Sequence, residues 1–257
     1  MALGRVYNFI DKLSYRPPIL ALTATATSLT LNRIMKIIKL NNPKIVIAPC
    51  DRKNIFYNVV RNVDKINYIL NYVKHNDSSG IIYCLTIKDC LYVYDKLKEN
   101  NIESVLYYGT LDNQKKTENQ NLFCSGKIKL IIATNSFGMG VDVSFIRYVI
   151  NYSIPQSIED FSQQSGRASR DGAYAESIVL FDFNDIDTIN YFINNIDDSN
   201  MTLKEKILVK IENQKKLDKM INFCTTKTCL HKYISNYFEQ SHSGKCMMCI
   251  NCKRRIK

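Results

Sequence analysis

Apolar and polar positions along this chain fall into two alternating patterns. Short, nearly continuous apolar runs rich in Val, Ile and Tyr recur at "ILALTAT" (Ile19 to Thr25), "GIIYCL" (Gly80 to Leu85), "ESVLYY" (Glu103 to Tyr108), "IKLIIAT" (Ile128 to Thr134), "YVINYS" (Tyr148 to Ser153) and "SIVLFDF" (Ser177 to Phe183). Runs of this kind predict strands buried on both faces. Between them lie segments of helical spacing. In "TIKDCLYVYDKLKENN" the residues Ile87, Cys90, Leu91, Tyr94 and Leu97 share one predicted face,. Thr86 with Asp89, and Ser157 with Asp160, have the spacing of helix N-cap pairs,. Strands alternating with helices predict an α/β fold, a parallel sheet flanked by helices. Ligands of such sheets gather at the carboxyl ends of the strands.

The pattern changes after Phe183. Met201 to Phe238 reads as helical and lysine-rich, with Thr202 and Glu205 as a capping box,. The closing "EQSHSGKCMMCINCKRRIK" has neither period. The polar "NNIDDSN" therefore marks a boundary near Asp198 to Met201,. No internal repeat or low-complexity tract interrupts it.

Composition adds little to this and charge adds more. The 257 residues are 46% hydrophobic and 23% charged, ordinary for globular domains,. No apolar run approaches a membrane span, and "MALGRVYNFIDKL" lacks the apolar core of a signal peptide,. The expectation is a soluble intracellular protein with no membrane partner. The formal net charge is +11. From Met201 onward 13 Lys or Arg face 4 Asp or Glu, a net of +9. That excess suits a polyanion such as nucleic acid, and a solvated lysine-rich helix face is the alternative.

The nine cysteines are an odd number without a secretory signal, which argues against a disulfide framework,. Cys50, Cys84, Cys90 and Cys124 sit among apolar residues and read as small packing groups,. Cys229, Cys246, Cys249 and Cys252 form two overlapping C-x-x-C units with a fourth cysteine at loop distance. Four thiolates at that spacing suit one tetrahedral zinc, with Cys224 as a spare. A redox C-x-x-C and an iron–sulfur cluster are the rivals; the third closely spaced cysteine fits the first of these poorly.

A second constellation points to phosphate. "QQSGRASRDG" places Arg167 and Arg170 on a glycine-bounded turn, where a guanidinium can grip phosphate,. Upstream, "IIATNSFGMGVD" runs from a strand into a loop with Gly138 and Gly140, and "ALTATAT" ends a strand in threonine hydroxyls. Taken singly each is weak, since G-x-G is usually only a turn.

Together, these stretches resemble the C-terminal half of a RecQ-family DNA helicase core. "ALTATAT" is similar to motif III, "GIIYCLTIKDC" to motif IV, and "IIATNSFGMGVDVSFIRYVINYSIPQSIEDFSQQSGRASRDG" to motifs V and VI. "CLHKYISNYFEQSHSGKCMMCINC" resembles the family's zinc-binding segment. The resemblance implies a RecA-like second lobe followed by a small helical zinc-binding domain, with residues 1–48 as the remnant of a first lobe. It implies that Arg167 and Arg170 reach the γ-phosphate of ATP across an interlobe cleft. Gln163 and Gly166 would contact the nucleotide, and Asp142 and Gly140 would link it to the DNA track. Thr86 and Thr134 would touch the DNA backbone, while Thr23 and Thr25 relay hydrolysis into lobe movement. Family members translocate 3′ to 5′ on single-stranded or partly duplex DNA, in the cytoplasm or nucleoid of bacteria or the nucleus of eukaryotes, in repair and recombination.

The same comparison marks departures. No G-x-x-x-x-G-K-[ST] and no D-E-x-H occurs, and no winged-helix segment follows Cys252,. The expectation is therefore a fragment or split half that is inactive alone, takes ATP and Mg²⁺ only with the missing lobe, and has a separate N-terminal lobe as partner. A non-catalytic DNA-binding module is the alternative; an RNA helicase lobe is disfavoured by Gln163 and the cysteines. Gln164 stands where the family usually has an acid, Ser169 where it has glycine, Tyr108 and Asn151 where it often has histidine, and Lys53 where it often has proline. Leu230 and His231 replace two arginines.

Overall fold

The structure is a computed structural model that describes residues 2–23, 27–138, 143–196, 201–242 and 246–253. Two helices, α1 (Ala2–Ile10) and α2 (Ser28–Ile38), precede the sheet. Thr27 caps α2 by accepting from the Thr30 amide. Then come β1 (Ile55–Arg61), α3 (Lys65–Lys74), β2 (Ser79–Tyr83), α4 (Ile87–Glu99), β3 (Val105–Tyr107), α5 (Asn113–Cys124), β4 (Leu130–Ala133), β5 (Ile146–Asn151), α6 (Ile158–Ser165), β6 (Ala175–Phe181) and α7 (Asn184–Asn194). The C-terminal helices are α8 (Leu203–Thr225), α9 (Leu230–Tyr237) and the single turn α10 (Ile250–Lys253). The expected caps are present: Thr86 on α4, Ser157 on α6, and the reciprocal Thr202–Glu205 box on α8.

The strands form one six-stranded sheet in the order β1-β6-β5-β2-β4-β3, and every pairing is parallel. Successive strand residues alternate between two apolar layers, as the pleat requires. One layer joins Ile82, Ile132, Tyr148, Ile150 and Ile178 to α3 and α4. The other joins Ile55, Tyr57, Ile131 and Val179 to Phe123 of α5, Phe161 of α6, and Leu217, Phe223 and Ile234 of α8 and α9. The C-terminal helices thus share the sheet's own core.

Two expectations need correction. Residues 19–23 of "ILALTAT" form no strand; Leu20 and Leu22 stay 82% and 85% exposed. A strand needs a ladder partner, and no described segment pairs with this one. The rest of that run falls on residues 24–26, outside the described residues. The sheet's outer strand β1 comes instead from "IFYNVVR", whose burial alternates only at its C-terminal half. On α4 the buried face is Cys90, Val93 and Leu97, while Leu91 is 41% exposed. Positions 90, 93 and 97 follow the helical repeat closely; Leu91 lies about 100° away from Cys90.

Gly80 lets β2 and β5 pack. A Cβ there would meet the Tyr148 ring at 2.0 Å. Tyr148 is 1% exposed and cannot swing into solvent. Gly80→Ala is expected to cost about 1–3 kcal/mol by overpacking, and the Gly80→Ala/Tyr148→Leu double variant to regain part of it. Chemical denaturation with both variants checks this.

Candidate nucleotide and metal sites

The arginine turn lies between α6 and β6. Because α6 runs back against the strand direction, the turn sits at the amino edge of the sheet, beside the first residue of β5: the Ser169 amide donates to Ile146 O at 2.9 Å. This differs from the carboxyl-edge location common in such folds. The turn's backbone is gripped from outside by Arg52, whose guanidinium donates to Gly166 O (3.5 Å), Ala168 O (3.1 Å) and Ser169 O (2.8 Å). Asn54 Nδ2 adds bonds to Ser169 O (3.2 Å), Ser169 Oγ (3.0 Å) and Ala173 O (3.0 Å). Ser169 has φ +50, the left-handed region that favours glycine,. Its hydroxyl bonds Ala173 O and Asp171, which offsets that strain. Asp171 is held in turn by Arg147, at 2.5 Å, which keeps its carboxyl below the ordinary carboxylate range.

Arg167 is half-buried and Arg170 exposed. The Arg167 guanidinium packs against Gly138, where a Cβ would come within 2.7 Å of its Nε. Gly138 also has φ +106, so both the close approach and the backbone require glycine. Tyr83 lies beside it. Burial pushes the Tyr83 hydroxyl up to about 12, with Arg167 pulling the other way, and the neutral phenol donates to Phe137 O at 3.3 Å. Arg167, Arg170, Gln163, Gly166 and Thr23 line one cleft of about 630 Å³, closed on its other side by residues 43–50. Thr25, Gly140 and Asp142 lie outside the described residues.

Thr86 and Thr134 lie elsewhere. They follow β2 and β4, which are paired neighbours, so both stand at the carboxyl edge of the sheet. Thr86 Oγ donates to Asp89 Oδ2 at 2.7 Å, and Thr134 Oγ is 2.9 Å from Ser136 Oγ. The arginine cleft and the threonine pair are therefore two separate places.

Two departures noted in the sequence meet in space. Asn151 donates to Gln164 Oε1, and Gln164 Nε2 donates to Asn135 Oδ1 at 3.2 Å. A neutral amide pair fills the buried position where the resemblance implied a histidine and an acid. Arg52 and Asn54, which build the arginine turn, were not singled out from the sequence; their signal was the "DRKN" stretch itself.

The four C-terminal cysteines converge: the sulfurs of Cys229, Cys246, Cys249 and Cys252 all lie within 4.8 Å of one another. Three of the separations are 3.3, 3.8 and 3.9 Å; sulfurs bound to one tetrahedral zinc stand about 3.8 Å apart. Met247, at φ +58, makes the tight turn between Cys246 and Cys249. Burial raises the Cys246 and Cys249 thiols above the ordinary range, while at Cys252 burial is outweighed by hydrogen bonds that lower its thiol; four thiolates packed this closely repel one another, and a bound cation offsets that. The Leu230 amide donates to Cys249 Sγ at 3.4 Å, a bond of the kind that steadies a metal-bound thiolate. Cys224 is buried in α8, its thiol raised by burial, and stands apart from this group. Cys84 and Cys90 are buried as expected, and Cys50 and Cys124 half-buried.

His231, in place of an expected arginine, joins this cluster to the sheet. It is 1% exposed. Its Nδ1 lies 2.6 Å from Asp51 Oδ1, and its Nε2 lies 3.1 Å from Ile55 O and 3.0 Å from Met248 O. Its partners are one carboxylate and two backbone carbonyls. The Tyr57 amide donates to Met248 O at 3.0 Å, a strand-like bond between β1 and the cysteine turn.

Two family models match the chain. The helicase conserved C-terminal domain matches residues 63–172, and the RecQ zinc-binding segment matches residues 183–253. The ATP-dependent DNA helicase RecQ of Bacillus subtilis (strain 168) is 34% identical over 242 residues, which cover 94% of this chain and 40% of that protein. A protein of Acanthamoeba polyphaga mimivirus, named as ATP-dependent RNA helicase R290, is 33% identical over 250 residues, 96% of this chain and 44% of that one. The chain thus spans less than half the length of these relatives. Among solved structures, S. cerevisiae Dbp5 bound to RNA and ADP BeF3 matches with a TM-score of 0.61 over 83% of this chain and 58% of that one, at 22% identity. At that identity the likeness is one of fold: a RecA-like helicase lobe. The zinc-binding match and the four-cysteine cluster together identify zinc as the metal. No helix among the described residues is long and apolar enough to cross a membrane.

Proposed function

This chain belongs to the RecQ family of helicases, and on that premise we propose that it supplies the second RecA-like lobe and zinc-binding segment of an ATP-dependent DNA helicase moving 3′ to 5′ on single strands. The supporting observation is the shared cleft of Arg167, Arg170, Gln163 and Gly166, with the turn's carbonyls fixed by Arg52. A P-loop-bearing lobe brings ATP and Mg²⁺ to this cleft. Arg170 and Arg167 then place positive charge against the phosphoryl group in transfer, and Gln163 aligns the nucleotide. Gly140 and Asp142 connect that site to the DNA track. Thr86 and Thr134, at the carboxyl edge, contact the DNA backbone through hydroxyls, which positions a strand without reading its sequence. Thr23 and Thr25, on residues 1–48, pass the state of the nucleotide to the other lobe; residues 49–198 form the lobe proper and 199–257 the zinc domain. Zinc holds the last of these together and takes no part in hydrolysis.

On this reading the 257 residues alone turn over no ATP, and turnover appears when a P-loop lobe is added. Phosphate release stimulated by single-stranded DNA measures this; robust turnover by the chain alone contradicts it. Binding of single-stranded DNA is expected to weaken tenfold or more between about 50 and about 200 mM salt, because basic contacts to phosphate release counterions. Fluorescence anisotropy in a salt series checks the slope. Competition by RNA of the same sequence decides the substrate: DNA is expected to compete better, and equal or better competition by RNA would assign the chain to RNA.

A further inference from the structure

We infer that the zinc segment positions the arginine turn through a continuous hydrogen-bonded link, in which His231, Asp51 and Arg52 are positioning residues. At one end the Cys246–Cys249 turn presents Met248 O, which accepts from both His231 Nε2 (3.0 Å) and the Tyr57 amide (3.0 Å). His231 follows the ligand Cys229 by two residues on α9, whose first amide bonds Cys249 Sγ. Its other nitrogen holds Asp51 at 2.6 Å. Gln240, just beyond α9, fixes the same connector by accepting from the Cys50 amide at 2.8 Å and donating to Ala48 O at 3.1 Å. Arg52 follows directly and donates to the carbonyls of Gly166, Ala168 and Ser169.

The link runs through enclosed or backbone-anchored groups, and His242 Nε2 also lies 3.7 Å from Asp51 Oδ2. His231 is enclosed, so its ring cannot turn to water,. Asp51 is a half-buried acceptor on the backbone unit next to Arg52, so fixing Asp51 fixes the origin of the Arg52 side chain. Arg52 is the only described side chain that donates to both Ala168 O and Ser169 O, the carbonyls on either side of the link between the two arginines. Both bonds come from Nη2, while Nη1 reaches Gly166 O, so the guanidinium spans three carbonyls of the turn,. When bound, zinc supplies the fixed cysteine turn on which His231 rests. Without it, Met248 O and the first turn of α9 lose their anchor. The chain's own residues carry the constraint from there to residues 166–170.

The catalytic meaning of this link rests on the role proposed for the arginines; the rigidity of the turn does not. The test is amide hydrogen exchange on the full chain, read at Ala168, Ser169 and Gly172, whose amides are bonded to Ser165 O, Ile146 O and Ser169 O. Asp51→Asn, with zinc content verified as one per chain, is expected to speed exchange at these amides about tenfold while the β6 amides of Ile178 to Leu180 stay protected. Removal of zinc by a chelator is expected to speed exchange at the same three amides. Arg52→Ala is expected to match Asp51→Asn, with exchange slowed again by added methylguanidinium, a rescue that general damage to the fold would not show. Exchange at the turn unchanged in zinc-loaded Asp51→Asn overturns the inference, whatever zinc removal does to the rest of the chain. So does a turn unaffected by chelation while the amides of 229–253 respond. A link confirmed by exchange in a chain whose Arg170→Ala variant keeps full activity would leave the positioning intact and refute only the arginines' catalytic role.

Discussion

Arg170→Ala, in a complex that hydrolyses ATP, lowers kcat by about 10³-fold and changes KM for ATP only a few-fold. The expectation follows from where the side chain stands. Arg170 is at the exposed end of a turn whose backbone is held by Arg52, Asn54 and the Ser169 amide. Its own side chain lines the cleft with Arg167, Gln163 and Gly166. Truncating it leaves the turn's described backbone bonds in place. On the role proposed above, the truncation removes charge that acts on the transferring phosphoryl group, which lowers kcat more than it weakens ground-state binding. Arg167→Ala is a less clean experiment, because Arg167 also packs on Gly138 and beside Tyr83. Arg170→Lys keeps the charge and loses the fork, so it should recover part of the rate. Steady-state kinetics on the three variants distinguish these outcomes. A raised KM with kcat unchanged would mean that Arg170 only binds nucleotide.

Zinc removal is the second large effect. Structural zinc sites contribute about 10–16 kcal/mol of apparent binding free energy to small domains. Here the loss is not confined to the cysteines. Cys249, Cys252, Leu230 and Ile234 belong to the same apolar layer as Ile55, Tyr57 and Phe161 of the sheet and α6. Releasing the cysteine turn therefore uncovers one face of β1. Chelation, or Cys249→Ser, is expected to lower Tm by about 10 °C or more and to remove helical signal from α9 and α10. Cys224→Ala should retain one zinc per chain, since Cys224 is outside the ligand group. Thermal melts with metal analysis check both. Full zinc content in Cys249→Ser would show that the ligand set is wrong.

The other sheet strands and the helix caps were readable because they depend on local pattern: largely apolar runs six or seven residues long, and hydroxyl–acid pairs at a spacing of three. The cysteine site was readable because ligand spacing is itself the chemistry. What failed was tertiary. "ILALTAT" has the composition of a strand, and a strand exists only with a neighbour to bond. β1 was not singled out although five of its seven residues are apolar, and its place at the sheet's edge comes from pairing with β6. The arginines were visible, but the residues that hold them were not. Arg52 is distant in sequence from Ala168 and Ser169, and no local pattern encodes a bond of that range. Asn151 and Gln164 looked like two unrelated departures; in the fold they are one hydrogen-bonded substitution. His231 read only as a replacement of an arginine, and in the fold it is a buried ring that joins two parts of the core.

The most direct test of the proposed nucleotide role is the affinity of the reconstituted two-lobe complex for ADP with aluminium fluoride, compared with ADP alone, for the native chain and for Arg170→Ala. Arginines that act on the transferring phosphoryl group should tighten the analogue and leave ADP almost untouched. The expected result is a loss of about 10²–10³ in analogue affinity in the variant, with ADP affinity unchanged within a few-fold. Equal analogue affinity in the native and variant complexes would contradict it.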